Sequence, residues 1–385
     1  MRQKGLNSNE IMKEIRDIRK ADVQWPFVFN SICSEPLHIG VEAFIKGLDT
    51  NLGDNRIFKG TAKVENKVIE LLKEVFHGPD MVGNIVSGGT EANFLALQVA
   101  KKMRPEVEKP EILFTATTHY SVLKAIEFMG LKYKIVETDE NFSMDISDLI
   151  HKIGKDTIAI VVNAGSSELG CIDPIEQIAE IARENKIYLH VDAATGGFII
   201  PFAKKIGYSL PEFDFAIDGV SSITVDPHKY GLAPIPAGGI LFKNKDIQNY
   251  LTFNSYFYGT QAHTTLSGTR GGASVLAVYA ILEYLGMEGF IQITKKNYES
   301  TEYLIKRLEQ LGYTLVCTPQ LNIVTFYVDN AHNVMNQLET KGFIVSVSRR
   351  FKNALRIVIN NHLSIDLIDK FVEMLITIDV KEMSQ

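Results

Sequence analysis

Between Glu111 and Asp192 the chain alternates two hydrophobic periods. Four short β-rich runs, "EILFTA", "KYKIVET", "TIAIVVN" and "KIYLHVD", are separated by the amphipathic stretches "HYSVLKAIEFMG", "DISDLIHKIG" and "DPIEQIAEIAREN". Strands separated by whole helices run parallel, so the pattern predicts an α/β fold: a mostly parallel sheet with helices on both faces. Asp173 followed by Pro174 at the first helical position is a start signal for the third of those helices. Upstream, "TAKVENKVIELLKEVFH" sets Val64, Val68, Leu71, Leu72 and Val75 on one helical face. Downstream, "SSITVD" and "GGILFK" read as a closely spaced strand pair that adds an antiparallel edge, followed by a long helical region from about Gly271 to Leu311.

A chain of 385 residues can bury one large core and a smaller one. The reading divides it into an N-terminal segment (1–55), a large domain (56–285) and a small C-terminal α+β domain (286–385). The first segment holds one helix, with Asn7 and Glu10 as a capping box, and an irregular stretch around the lone Trp25. A net charge of −6 with mixed signs, and no Lys/Arg window interleaved with aromatics, argues against a nucleic-acid or membrane surface. The expected partner is a small molecule. Three scattered cysteines (Cys33, Cys171, Cys317) form neither a CxxC pair nor a disulfide framework, which fits a reducing compartment, and no metal-ligand spacing stands out. The N-terminus has no apolar signal region and no uninterrupted apolar run reaches about 18 residues, so a cytoplasmic protein is expected.

In an open parallel sheet ligands sit beyond the carboxyl ends of the strands, so polar residues just after strands deserve inspection. "SGGTEAN" (Ser87–Asn93) is a Gly88-Gly89 turn opening into a helix, where bare N–H groups suit a phosphate; a plain tight turn is the alternative. The P-loop and dinucleotide spellings are both absent. "HVDAATGG" ends a strand on Asp192, either a simple cap or a carboxylate that keeps a ring nitrogen protonated, with Ala194 small enough to admit a flat ring. "TTHYSVLKA" puts His119 at a helix start that Thr117 or Thr118 would cap. "SSITVDPHK" ends on His228 and Lys229, and a buried ammonium is costly unless paired or covalently bonded. A phosphate turn, a strand-end Asp, a stacking His and a strand-end Lys together match the needs of pyridoxal 5′-phosphate: an anchor, a pyridinium partner and a Schiff-base lysine.

These motifs resemble those of the fold-type I pyridoxal-phosphate enzymes, within them the group II amino-acid decarboxylases, and most closely the archaeal L-tyrosine/L-aspartate decarboxylases. "TNLGDNRIFKGT", "VSGGTEAN", "NAGSSELG", "IYLHVDAATGG", "SITVDPHK", "PIPAGGILF", "LSGTRGG" and "LRIVIN" carry the similarity over nearly the whole chain. The resemblance implies a seven-stranded-type sheet, with Lys229 as the Schiff-base lysine and His228 near the phosphate held by Gly88, Gly89 and Thr90. It implies Asp192 at the pyridine nitrogen and His119 stacked on the ring face opposite Ala194. Where the family writes two threonines this chain has Ser166 and Ser167, and Ser167 keeps the hydroxyl for the ring's phenolic oxygen. Gly268 and Thr269 are implied at a dimer interface, reaching the neighbouring subunit's cofactor. Tyr256 or Tyr258 would serve a protonation step or simply fill the interface. Arg356 and Arg270 are the candidates for a substrate carboxylate, Arg270 equally for an interface ion pair, and His38 is a further substrate-side candidate. The implied protein is a homodimer that converts L-tyrosine to tyramine and/or L-aspartate to β-alanine with release of carbon dioxide, for methanofuran or coenzyme A synthesis. Another reaction on the same scaffold, such as L-glutamate decarboxylation or transamination, is the alternative. A non-catalytic binding protein would lack the lysine or the aspartate, and both are present.

Overall fold

The computed structural model describes residues 2–254 and 262–383 of the chain. Asn7 and Glu10 exchange the two hydrogen bonds of a capping box and open α1 (Ser8–Arg19) as expected. The N-terminal segment holds a second helix that the sequence reading lacks, α2 (His38–Lys46). No side chain caps it, and it forms by packing on a long later helix: a Cβ added to Gly40 would lie 2.5 Å from Ile281 Cδ1. In α3 (Lys59–Val75) the buried face is Thr61, Glu65, Val68, Ile69 and Leu72, so Val64, Leu71 and Val75 sit at its margins.

Seven strands, β1 (Val82–Val86), β2 (Glu111–Thr115), β3 (Lys132–Val136), β4 (Thr157–Asn163), β5 (Tyr188–Asp192), β6 (Val220–Val225) and β7 (Gly238–Phe242), form one sheet in the order β1-β7-β6-β5-β4-β2-β3. The expected β6–β7 pair is antiparallel, but β7 is not an edge, because β1 pairs with its other side. The run "VGNIV" is weak strand material by itself; its backbone is pressed against β7, where a Cβ on Gly83 would lie 2.3 Å from the Ile240 carbonyl oxygen. Alternate residues face alternate cores: Leu113, Val162 and Val191 one way, Ile112, Val161 and Tyr188 the other.

The covering helices are α4 (Gly89–Met103), α5 (Tyr120–Met129), α6 (Ile146–Lys152), α7 (Ile175–Glu184), α8 (Ile200–Lys205) and α9 (Lys245–Asn249). Helix α7 begins one residue later than expected, with Pro174 at its cap, and Asp173 does not cap it. That buried carboxylate instead accepts the backbone N–H groups of Asn163 (2.6 Å) and Met144 (2.8 Å). Two short strands, β8 (Phe253–Asn254) and β9 (Ala262–His263), pair with each other. Tyr256 and Tyr258 fall between them, outside the described residues.

The long helix α10 (Ala273–Gln310) follows, departing from helical geometry at Gly286 (φ 53°). By length and composition α10 could cross a membrane; here Val275, Val278 and Ile281 join the large core, and the helix packs on α2, α3 and α8. Beyond it, β10 (Ile323–Tyr327), α11 (Ala331–Thr340), β11 (Ser346–Val347), β12 (Ala354–Val358) and α12 (Ile365–Met383) build a small antiparallel sheet, β10-β12-β11, with its own core. Phe29 of the N-terminal segment belongs to that core, stacking on Phe371 at 5.0 Å.

Candidate active site

The parallel strands deliver their carboxyl-end residues to one place. Ser87–Gly89 follow β1, His119 follows β2, Ser167 follows β4, Asp192 ends β5, and His228 and Lys229 follow β6; all line one cavity of about 450 Å³ together with Thr90 and Ala194. At one pole no side chain caps α4, so its leading N–H groups stay open to an anion. Glycine is required where this turn meets β7: a Cβ on Gly238 would lie 2.3 Å from Gly88 Cα.

Lys229 Nζ lies 3.0 Å from Asp226 Oδ2, a buried carboxylate that the sequence reading left unassigned. Burial opposes the lysine's charge, but Asp226 and then Asp192 outweigh it, and the pKa stands above the ordinary lysine value. The other oxygen, Asp226 Oδ1, is buried without a hydrogen-bond partner among the described residues. A charged amine beside a half-satisfied carboxylate is a site awaiting a further group. His228 accepts the Ala237 N–H at Nδ1 (3.1 Å) and turns Nε2 toward Asp226 (3.7 Å); burial lowers its pKa.

Asp192 is buried, accepting the Ala194 N–H (3.1 Å) and the Asn93 amide (2.8 Å). His119 is itself the cap of α5: its Nδ1 accepts the Ser121 N–H at 3.3 Å, displacing the expected Thr117 or Thr118. Those threonines are taken up elsewhere, both within reach of Thr115 Oγ1 and the Asn163 amide. Burial pushes the His119 pKa down, while the Asp192 charge opposes the shift. An anion pole, a buried carboxylate, a flat imidazole and a buried amine in one cavity fit pyridoxal 5′-phosphate.

A second cavity, of about 650 Å³, shares His119, Tyr120, Ser167 and Lys229 with the first and carries Arg349, Arg350 and Arg356 on its small-domain side. Arg356, on β12, is 8% exposed, and its Nε and Nη1 donate to the carbonyls of Ser167 (2.8 Å) and Asn30 (3.1 Å). No carboxylate lies within 4.0 Å of its guanidinium among the described residues. Burial lowers its pKa against the field of Glu168. Sequence reasoning missed Arg349 and Arg350, which sit in a loop with no periodicity to flag them. Arg350 lies over the Phe142 ring at 5.7 Å.

The remaining candidates line neither of the two cavities that include Lys229. Arg270 is committed to Glu65 (2.7 and 3.0 Å) and to the Ile85 carbonyl (2.6 Å). The His38 side chain is 86% exposed beside Glu42. Gly268 and Thr269 line a different cavity, of about 800 Å³, with Asn51, Phe94 and Phe253.

The family model of the pyridoxal-dependent decarboxylase conserved domain matches residues 49–329. A probable L-aspartate decarboxylase of Pyrococcus abyssi is 40% identical over 96% of this chain and 97% of its own length. An L-aspartate/L-glutamate decarboxylase of Pyrococcus horikoshii is 38% identical over 98% of both chains. A probable L-tyrosine/L-aspartate decarboxylase of Methanocella arvoryzae is 39% identical over 96% of this chain and 98% of its own. Among solved structures, a glutamate decarboxylase of Lactobacillus brevis superposes with a TM-score of 0.89 at 22% identity, covering 100% of this chain and 95% of that one. A sphingosine-1-phosphate lyase of Burkholderia pseudomallei gives a TM-score of 0.91 at 20% identity, over 100% and 94%. These two likenesses speak for the fold.

Proposed function

We propose, from the premise that this chain belongs to the pyridoxal-dependent decarboxylase family, that it removes the α-carboxylate of L-aspartate as carbon dioxide and leaves β-alanine. It is an enzyme that uses pyridoxal 5′-phosphate to decarboxylate an amino acid. The observation that carries the choice of substrate is Arg356, a buried guanidinium with no carboxylate partner among the described residues, in the cavity that continues from Lys229. An acidic amino acid brings two carboxylates, and Arg356 with Arg349 or Arg350 offers two cationic groups for them. The names of the relatives support this reading, since aspartate is common to all three.

When bound, pyridoxal 5′-phosphate supplies the electron sink for the breaking carbon–carbon bond. Lys229 would hold it covalently through Nζ, and the open N–H groups of α4, with Gly88, Gly89 and Thr90, would hold its phosphate beside His228. Asp192 would keep the ring nitrogen protonated by its negative charge, with His119 and Ala194 against the ring and Ser167 at the phenolic oxygen. Arg356 grips a substrate carboxylate; its two bonds to main-chain carbonyls fix the guanidinium plane before substrate arrives. The placement of Gly268 and Thr269 away from the chain's own Lys229 supports a homodimer in which they face the neighbouring subunit. Three free cysteines support a cytoplasmic setting, and β-alanine as product supports a role in coenzyme A synthesis.

The test is competition between L-aspartate, L-glutamate and L-tyrosine on the cofactor-loaded protein, with each amine quantified. β-Alanine as the dominant product supports the reading; tyramine as the dominant product assigns the arginines elsewhere and refutes it.

A further inference from the structure

We infer that Asn93 is a positioning residue: its carboxamide aims the Asp192 carboxylate and, through the Ser121 hydroxyl, supports the His119 ring in the tautomer that carries its proton on Nε2. The inference rests on the proposed reaction for the meaning of the rate changes below, and on geometry alone for the tautomers. Asn93 closes the "SGGTEAN" motif, one helical turn after Gly89, on the face of α4 turned to the sheet. It is 1% exposed and has four side-chain partners, none of them close in sequence.

Hydrogen-bond direction follows from one fixed point. An ionised carboxylate only accepts, so the amide nitrogen of Asn93 must face Asp192 Oδ2 (2.8 Å), and its second N–H reaches Ser121 Oγ (2.9 Å). Asn93 Oδ1 is then the acceptor for the Thr224 hydroxyl (2.7 Å) and for His190 Nε2–H (2.9 Å). With its proton on Nε2, His190 accepts the Ser222 hydroxyl at Nδ1 (2.8 Å). Burial holds the His190 pKa down at about 4, so the ring is neutral and has one proton to place.

On the other side, Ser121 Oγ takes the Asn93 N–H and gives its own proton to His119 Nδ1 (2.9 Å), which also accepts the Ser121 backbone N–H (3.3 Å). His119 Nδ1 is therefore an acceptor, and the neutral ring carries its proton on Nε2. A single buried amide thus couples the residue proposed for the ring nitrogen to the one proposed for the ring face.

The experiment combines ¹⁵N spectroscopy of the cofactor-free protein with a double-mutant cycle on the loaded enzyme. In the wild type, His119 and His190 are expected as neutral rings protonated on Nε2; a proton on Nδ1 of either overturns the inference, whatever the substrate proves to be. Asn93→Ala should shift the His119 ¹⁵N resonances, because the Ser121 hydroxyl loses its donor, while the Ser121 backbone N–H keeps the proton on Nε2. The substitution should lower kcat by about 10–100-fold with KM within about threefold, the pattern of a lost outer hydrogen-bond partner. The Asn93→Ala/Asp192→Asn double variant should be no slower than Asp192→Asn alone. Fully additive losses with the His119 resonances unchanged would mean that Asn93 only supports the fold and would overturn the inference. Should no amine form from any substrate, the proposed reaction fails while the two tautomers still decide the inference.

Discussion

Lys229 keeps its charge at the end of a buried strand because Asp226 stands beside it. Both carboxylates in the cavity raise its pKa, and only the uncharged amine attacks an aldehyde, so at neutral pH the free protein holds less reactive amine than an ordinary lysine would. Asp226→Asn removes the nearer charge and should speed cofactor capture at pH 7, with the rate levelling off at lower pH than in the wild type. Stopped-flow absorbance on cofactor-free protein checks this, and an unchanged pH profile would count against it. At the mouth of the site, Arg356→Lys keeps a positive charge but cannot span two carbonyls and a carboxylate. The KM for aspartate should rise by about tenfold or more, the equivalent of about 1.4 kcal/mol, in steady-state kinetics. Lys229, His119 and Asp192 could be singled out in the sequence because each stands at or just after the end of a strand, and all three line one cavity. Asn93 and Asp226 were spelled inside quoted motifs, yet their roles depend on partners or charges that only the folded chain gathers: Asn93 meets residues 28 to 131 positions away.

Among the elements, the least legible are those held by neighbours rather than by their own pattern. Strand β1 exists because β7 offers an open side, and α2 because α10 offers a surface. One ion pair locks β1 in place: Glu65 on α3 accepts the Ile85 N–H (3.0 Å) and both ends of Arg270, which donates back to the Ile85 carbonyl. Both side chains are largely buried, so Glu65→Gln would leave the guanidinium without its counter-charge, a loss of about 3–5 kcal/mol visible as a lower Tm. The double change Glu65→Leu/Arg270→Met should recover much of that loss, because two apolar groups leave no buried charge. A double variant less stable than the single one would rule out this account. The periodic stretches from β2 to β5 were legible as elements, since period and flanking turns agree there, and only the caps of α5 and α7 differ from the expectation.

At the scale of the whole molecule, the parallel sheet sets the site's position and the small sheet completes it by bringing Arg356 to the shared cavity. The class of fold was readable from alternation alone; the strand order was not, because nothing local says that β1 pairs beyond β7. We propose the division between large and small domains at 285/286, where α10 departs from helical geometry at Gly286, with Phe290 and Tyr298 beyond it still packed in the large core. The N-terminal segment bridges the two, with Phe29 in the small core and Leu52 in the large one.

This assembly breaks the bond to the α-carboxylate of an amino acid and leaves the amino group in place. The most direct measurement is a product balance on the cofactor-loaded enzyme with L-aspartate labelled at the α-carboxylate. One labelled carbon dioxide is expected for each β-alanine, with no keto acid and with loss of both products in Lys229→Ala. Keto acid formed without labelled carbon dioxide would contradict this and make the protein a transaminase on the same fold.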